Sequence, residues 1–146
     1  MNQWHDITAM VASVPDTMTL VTRSGKNYVP KASNEIDRGG EGRILTVSGD
    51  KRIALKIYHP GRTALDENRF NHLTKLDATY FVKPEELLWE GKSLVGFTMG
   101  LLSKEYFVLQ SLFDKNFCKN NNITLDIKMK VIRGMIAAMK SANCRR

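Results

Sequence analysis

The pattern of apolar and polar positions predicts a group of β-strands in the first half of this chain. Between about Lys31 and Tyr58 the apolar residues recur with a period of two, as in "RILTV" and "KRIALKIY". Tight turns separate the alternating segments, and His59-Pro60-Gly61 ends the last one because proline cannot donate a hydrogen bond to a neighbouring strand. We expect three antiparallel strands here.

The sequence after His59-Pro60-Gly61 predicts helices and a second hairpin. Thr63 is a capping residue type, and a helix is predicted from there to about Leu76, with core positions at Leu65, Phe70, Leu73 and Leu76. Strands near 85–90 and 93–99 are predicted around the turn at Gly91-Lys92. The stretch "YFVLQSLFD" predicts a short helix, and "TLDIKMKVIRGMIAAMKSAN" predicts a longer one. That longer helix has one apolar face, formed by Leu125, Met129, Val131 or Ile132, Ile136 and Met139.

The segment before Lys31 is an N-terminal extension that precedes this pattern. Residues 1–14 predict a short helix, and "TMTLVTRSGKNYVP" predicts a strand, a turn at Ser24-Gly25 and a second extended piece. The chain therefore predicts an α+β fold with a five-stranded antiparallel sheet and one packed helix. Its expected divisions are an N-terminal extension (1–30), the sheet unit (31–102) and a helical part (103–146).

Charge and composition limit the kinds of partner and the compartment that the sequence suggests. The formal net charge of +7 favours polyanionic partners such as nucleotides, nucleic acids or acidic membrane surfaces. The chain lacks the clustered Lys/Arg with interleaved aromatics that is typical of a nucleic-acid surface, so a nucleic-acid binder is the weakest of three candidates. Cys118 and Cys144 show no metal-ligand spacing. Because no signal-peptide pattern or long apolar run occurs, we expect a cytoplasmic protein without a membrane partner.

The glycine-rich stretch "DRGGEGRI" lies between two predicted strands. A bare backbone can adopt positive φ angles in an ordinary hairpin turn, or it can bring N–H groups close to phosphate oxygens. The third strand favours the second interpretation, because Ala54 and Lys56 lie two residues apart on one face of an otherwise apolar segment. A lysine there must find an anion or extend to water, and the small alanine leaves room for a flat group.

These residues resemble the N-terminal lobe of the protein kinase fold. The pattern G-x-G-x-x-G-x-V is met at Gly39, Gly42 and Ile44, with Asp37 in place of the first glycine, and V-A-I-K is met by Ile53-Ala54-Leu55-Lys56. The resemblance is closer to a bacterial kinase-like group with an Arg-Gly-Gly-Glu-Gly loop and a Lys-Ile-Tyr-His strand. Here these are residues 38–42 and 56–59, and "LW" and "VGFTM" follow in the same order, so that the likeness covers about residues 31–142.

The resemblance implies an ATP site. The backbone of Gly39, Gly40 and Gly42 would cover the phosphates, and Lys56 would contact the α- and β-phosphates while pairing with a helix glutamate. Glu67 is the candidate for that glutamate, and Asp66 is the only other acid in a suitable place. The remaining implied contacts concern the base. Ile44 and Ala54 would sandwich the adenine, Met99 would lie at the back of the pocket, and Gly100 to Leu102, including Leu101, would form a hinge that hydrogen-bonds the adenine.

The chemical machinery of a kinase is incomplete in this sequence. Neither H-R-D-x-x-x-x-N nor D-F-G occurs, so the catalytic aspartate and the magnesium-binding aspartate have no counterparts, and whether Mg²⁺ accompanies ATP stays open. The resemblance thus predicts an N-lobe with one or two helices of an incomplete C-lobe. It would bind ATP without transferring phosphate alone, or act as part of a split serine/threonine kinase with a separate C-lobe. The alternative is a pseudokinase-like module that binds a partner protein through its last helix.

Overall fold

A computed structural model describes residues 18–62, 65–103, 106–107 and 109–143. Over these residues the fold is α+β, as predicted. Seven strands are present, β1 (Leu20–Val21), β2 (Asn27–Tyr28), β3 (Glu35–Arg38), β4 (Gly42–Val47), β5 (Asp50–Tyr58), β6 (Pro84–Glu90) and β7 (Ser93–Gly100). The helices are α1 (Glu67–Thr74), α2 (Lys115–Asn120) and α3 (Leu125–Asn143), with 3₁₀ helices at Ala32–Asn34 and Leu109–Phe113.

All seven strands form one antiparallel sheet in the order β2-β1-β6-β7-β5-β4-β3. The strands β3 to β7 lie where the sequence predicted five. The described sheet has seven strands rather than five, because the short hairpin of β1 and β2 joins its edge through the pair Val21 and Trp89. The predicted strand and turn before Lys31 therefore belong to the sheet, whereas the helix predicted for residues 1–14 lies outside the described residues.

One face of the sheet carries the hydrophobic core. Opposite residues of antiparallel strands share a face, so Leu45 of β4 lies beside Leu55 of β5 on that side. The buried members of this core are Leu20, Tyr28, Leu45, Leu55, Ile57 and Leu88. The other face carries the alternate positions Ile44, Ala54, Lys56, Phe97 and Met99. The alternation thus separates a packed side from a side that can present a lysine.

Helix α1 begins at Glu67. Its cap is Asp66, whose side chain accepts a hydrogen bond from Arg69 N at 2.8 Å, while Thr63, the predicted cap, lies outside the described residues. The helix ends at Thr74, before the predicted Leu76. The ammonium of Lys83 donates to the carbonyls of Thr74 (2.7 Å) and Leu76 (3.0 Å), which supplies partners for carbonyls that a helix end leaves free. The helix packs against β6.

The C-terminal helices form a small unit of their own. Asp114 caps α2 by accepting from the backbone N–H groups of Asn116 and Phe117, and the stretch predicted as a short helix contains the 3₁₀ helix Leu109–Phe113. Lys128 Nζ of α3 donates to Leu112 O at 2.8 Å and Cys118 Sγ to the same carbonyl at 3.3 Å. This carbonyl therefore joins α2, α3 and the 3₁₀ helix.

Candidate functional site

The loop between β3 and β4 is closed by one internal hydrogen bond and held against the end of β5 by two more. Gly39 N donates to Gly42 O at 2.9 Å, and His59 N donates to Glu41 O at 2.9 Å. The His59 ring closes the set, since its Nε2 lies 2.9 Å from Gly39 O and donates to that carbonyl. The loop is thus a defined structure, and His59 stabilises it through both its backbone N–H and its ring.

The three glycines of this loop differ in what the fold requires of them. A Cβ at Gly42 would lie 2.4 Å from Ile57 O, so the approach of β5 excludes any side chain there. A Cβ at Gly39 or Gly40 would meet no atom within 4 Å, and neither residue has a positive φ. Packing therefore explains Gly42 but leaves Gly39 and Gly40 without a steric or conformational reason.

Lys56 lies in the middle of the sheet, opposite Ile44 of β4 and Phe97 of β7. Its Nζ lies 5.6 Å from the ring centroid of Tyr58 and 5.9 Å from that of Phe97, a distance at which aromatic rings attract a cation. The Lys56 side chain is 28% exposed, and its Nζ lies 3.7 Å from Glu41 Oε2 of the glycine loop. The ammonium is thus placed on aromatic rings with one side open to the loop.

The rings below the ammonium stay uncharged at neutral pH. Burial raises the pKa of Tyr58 and is the largest influence on it. A hydrogen bond with the Leu65 backbone lowers this pKa by a smaller amount. The two rings meet edge to face, with their centroids 6.2 Å apart. No anion from this pair competes for the lysine.

The glycine loop and Lys56 border a cleft of about 230 Å³. It is lined by Asp37, Gly39, Gly40, Glu41, Gly42, Ile44 and Lys56. Asp37 stands where the kinase pattern has a glycine. Its Oδ1 accepts a hydrogen bond from the Arg38 N–H at 2.8 Å, so the side chain is bonded to the adjacent backbone. The structure therefore brings together all the residues predicted to hold phosphates.

The residues predicted to bind adenine are less accessible than those predicted to bind phosphates. Ala54 and Met99 are register partners in adjacent strands, on the same face as Lys56. Ala54, however, has no exposed surface, and the Leu101 N–H donates to Arg52 O at 2.8 Å. A base could reach Ala54 only after a rearrangement of the atoms that cover it, and the Leu101 N–H already has a partner in the protein.

Glu67, the predicted partner of Lys56, lies elsewhere. Its Oε1 accepts from Arg23 Nη2, and it lines a second cleft of about 200 Å³ between α1 and β6 together with Phe70 and Leu87. In this structure Lys56 and Glu67 thus have different partners, and the carboxylate near the lysine is Glu41.

Sequence reasoning missed three residues around Lys56. Tyr58 lies two positions after the lysine, so strand alternation alone was a sufficient signal for it. Phe97 needed the register between β5 and β7, and Glu41 needed the path of the loop. No signal in the sequence identified these last two.

Within the described residues, no group of three His, Cys, Asp or Glu side chains is arranged to hold a metal ion. No helix in that part of the chain has both the length and the apolar character needed to cross a membrane. Comparison of the chain with protein-family models, with curated proteins and with solved structures finds no match in any of the three.

Proposed function

We propose that this protein binds ATP in the cleft between the glycine loop and Lys56, as a kinase-like N-lobe. The observation that carries the proposal is the pairing of a mid-sheet lysine with two glycines, Gly39 and Gly40, that the fold itself does not require. Bare backbone beside a cation suits phosphate groups, because phosphate oxygens can then approach N–H groups without a side chain between them. The Gly39 N–H already donates to Gly42 O, so in this proposal the Gly40 N–H would donate to phosphate.

Each lining residue has a role in this proposal. The ammonium of Lys56 would bind phosphate oxygens, and the Tyr58 and Phe97 rings would hold it in place from the other side. The backbone from Gly39 to Gly42 would cover the phosphates. Ile44, which faces the cleft beside Lys56, would contact the sugar or the base through its apolar side chain. ATP supplies the negative charge and Lys56 the positive charge.

Recognition of the phosphates is better supported than recognition of adenine. The phosphate-binding residues line one cleft, whereas Ala54 is covered and the Leu101 N–H is already used. We therefore expect most of the binding free energy to come from the phosphates. Adenine recognition through Ala54, Met99 and Leu101 requires a local movement of the atoms over Ala54.

The proposed role is nucleotide binding without phosphate transfer by this chain alone. Transfer of a phosphoryl group requires an aspartate to orient the attacking hydroxyl and an aspartate to hold magnesium. The 146 residues contain neither motif that would supply them. A kinase-like C-lobe is the unit that would complete such a site, and the bound nucleotide would lie where the two lobes meet.

Titration calorimetry with ATP, ADP and adenosine tests the proposal. We expect affinity to fall from ATP to ADP to adenosine, and Lys56→Ala to weaken ATP binding by about tenfold or more, since one charged hydrogen bond contributes about 1.5–3 kcal/mol. Lys92→Ala, which removes an exposed lysine in the turn between β6 and β7, is the matched control. An equal loss in both variants would mean that ATP responds to net charge rather than to this site.

A further inference from the structure

A row of exposed apolar side chains runs along α3. Leu125, Met129, Ile132, Ile136 and Met139 recur at intervals of four, three, four and three residues, and we call this set the α3 stripe. Its members are between 39% and 75% exposed. Large apolar side chains exposed along a whole helix are unusual in a monomer and indicate a binding surface.

The spacing of the α3 stripe identifies the shape of the partner. Alternating intervals of three and four residues are the a and d positions of a heptad, the narrow seam by which one helix packs along another. The partly buried residues of α3, including Ile127, Val131 and Ala138, lie off this seam. The side of α3 that the protein itself covers therefore differs from the side that the stripe occupies.

The charges beside the stripe identify the chemistry of the partner. The e positions carry Arg133 and Lys140 against one acid, Asp126, whose Oδ2 lies 2.9 Å from Lys130 Nζ on the same helix. At the g positions, Lys128 donates its Nζ to Leu112 O at 2.8 Å, and Met135 is exposed and apolar. A second copy of this helix would offer Arg133 and Lys140 only one acid, Asp126, which is already paired with Lys130, so identical helices are poorly matched in charge. Acidic flanking residues on a different helix would instead complement these cations.

A membrane surface fits the helix less well. Helices that lie in an acidic membrane interface combine an apolar face with Trp or Phe, whereas α3 contains no aromatic residue. From the spacing, exposure and charge together, we propose that the α3 stripe binds an amphipathic helix of a partner protein, with apolar residues at its seam and Asp or Glu at its flanks. This surface is separate from the nucleotide cleft, and the proposal does not depend on ATP binding.

Fluorescence anisotropy with a labelled three-heptad peptide tests this inference on the full chain. The peptide has Leu at a and d and Glu at e and g, and a second peptide carries Lys in place of Glu. We expect the Glu peptide to bind and the Lys peptide not to bind. Ile132→Asp should weaken binding of the Glu peptide by about tenfold or more, as expected for a residue at the centre of an interface.

Gly134→Asp is the matched control, because it adds the same charge to the same helix off the stripe, where a Cβ meets no atom within 4 Å. It should bind the Glu peptide nearly as well as the unaltered chain. The double variant Arg133→Glu with Lys140→Glu should reverse the preference in favour of the Lys peptide. Circular dichroism of each variant confirms that α3 is retained.

Several outcomes would overturn the inference. These are equal binding of both peptides, failure of both to bind, equal loss in Ile132→Asp and Gly134→Asp, or a stripe already occupied by a second copy. The last would be seen as a dimer in light scattering that Ile132→Asp dissociates. Phosphatidylserine vesicles are titrated in parallel, and binding to them without binding to the Glu peptide would also contradict the proposal.

Discussion

The ammonium of Lys56 lies 3.7 Å from the Glu41 carboxylate. The lysine proposed to bind phosphates is therefore paired with an acid from the loop that would cover those phosphates. The Glu41 side chain is 75% exposed, and an exposed pair of this kind contributes little to stability. Phosphate oxygens and Glu41 would compete for the same cation, so the pair should affect nucleotide affinity more than folding.

Glu41→Gln tests this competition. The substitution removes the negative charge and keeps the shape of the side chain, so ATP should bind more tightly, by a factor of about two to five, as expected for an exposed charge pair. Glu85→Gln, which removes an exposed acid of β6, should leave the affinity unchanged. Calorimetry with ATP measures both, and weaker binding in Glu41→Gln would mean that Glu41 helps to hold the ligand.

Alanine substitutions at the three loop glycines distinguish the glycine needed for folding from those proposed to contact ATP. Gly42→Ala should destabilise the protein by about 1–3 kcal/mol, because the new Cβ would lie 2.4 Å from Ile57 O. Gly39→Ala and Gly40→Ala should change the free energy of unfolding by less than about 0.5 kcal/mol but weaken ATP binding, since a methyl group would stand between backbone and phosphate. Urea unfolding and calorimetry check the two effects. Stable variants with unchanged affinity would remove these glycines from the site.

Glu67→Gln tests the partner suggested by the kinase resemblance. Because Glu67 contacts Arg23, we expect this variant to bind ATP with nearly the affinity of the unaltered chain. Lys56→Ala, measured in the same titration series, should lose about tenfold or more. If both variants lose affinity to the same extent, Glu67 and Lys56 act together when the nucleotide is bound.

The pH dependence of stability should contain a contribution from Glu35. Hydrogen bonds from Arg38 to both carboxylate oxygens (2.6 and 2.7 Å) lower the pKa of Glu35. A lowered pKa in the folded state means that the stabilisation is present above the unfolded value, near pH 4.3, and is lost as the pH falls through the folded value. Urea unfolding between about pH 3 and 6 should therefore show a shallower loss of stability in Glu35→Gln than in Glu90→Gln.

The sheet was largely predictable, and the contacts across it were not. Alternation placed Ala54 and Lys56 on one face, and the turn at Gly91-Lys92 placed β6 and β7 within one or two residues. The start of α1 at Glu67 depends on Asp66, one of several capping residue types in that stretch. The pairing of Val21 with Trp89 joins residues far apart in the chain, and a two-residue strand carries too little pattern to reveal it.

The candidate site was predicted in part for the same reason. The glycine loop and Lys56 are local motifs, so their residues could be named from the sequence. The ion pair with Glu41 depends on how the loop closes, and the contact of Glu67 with Arg23 depends on the packing of the β1–β2 hairpin near α1. Local patterns identified the residues, whereas three-dimensional contacts determined their partners.

Amide chemical shifts of the ¹⁵N-labelled full chain during an ATP titration test the central claim most directly. We predict saturable shifts of the Gly39, Gly40 and Gly42 amides with ATP, smaller shifts with adenosine, and loss of these shifts in Lys56→Ala while Lys92→Ala retains them. Unchanged glycine amides at saturating ATP, or shifts confined to α3, would contradict the proposal that this cleft binds the nucleotide.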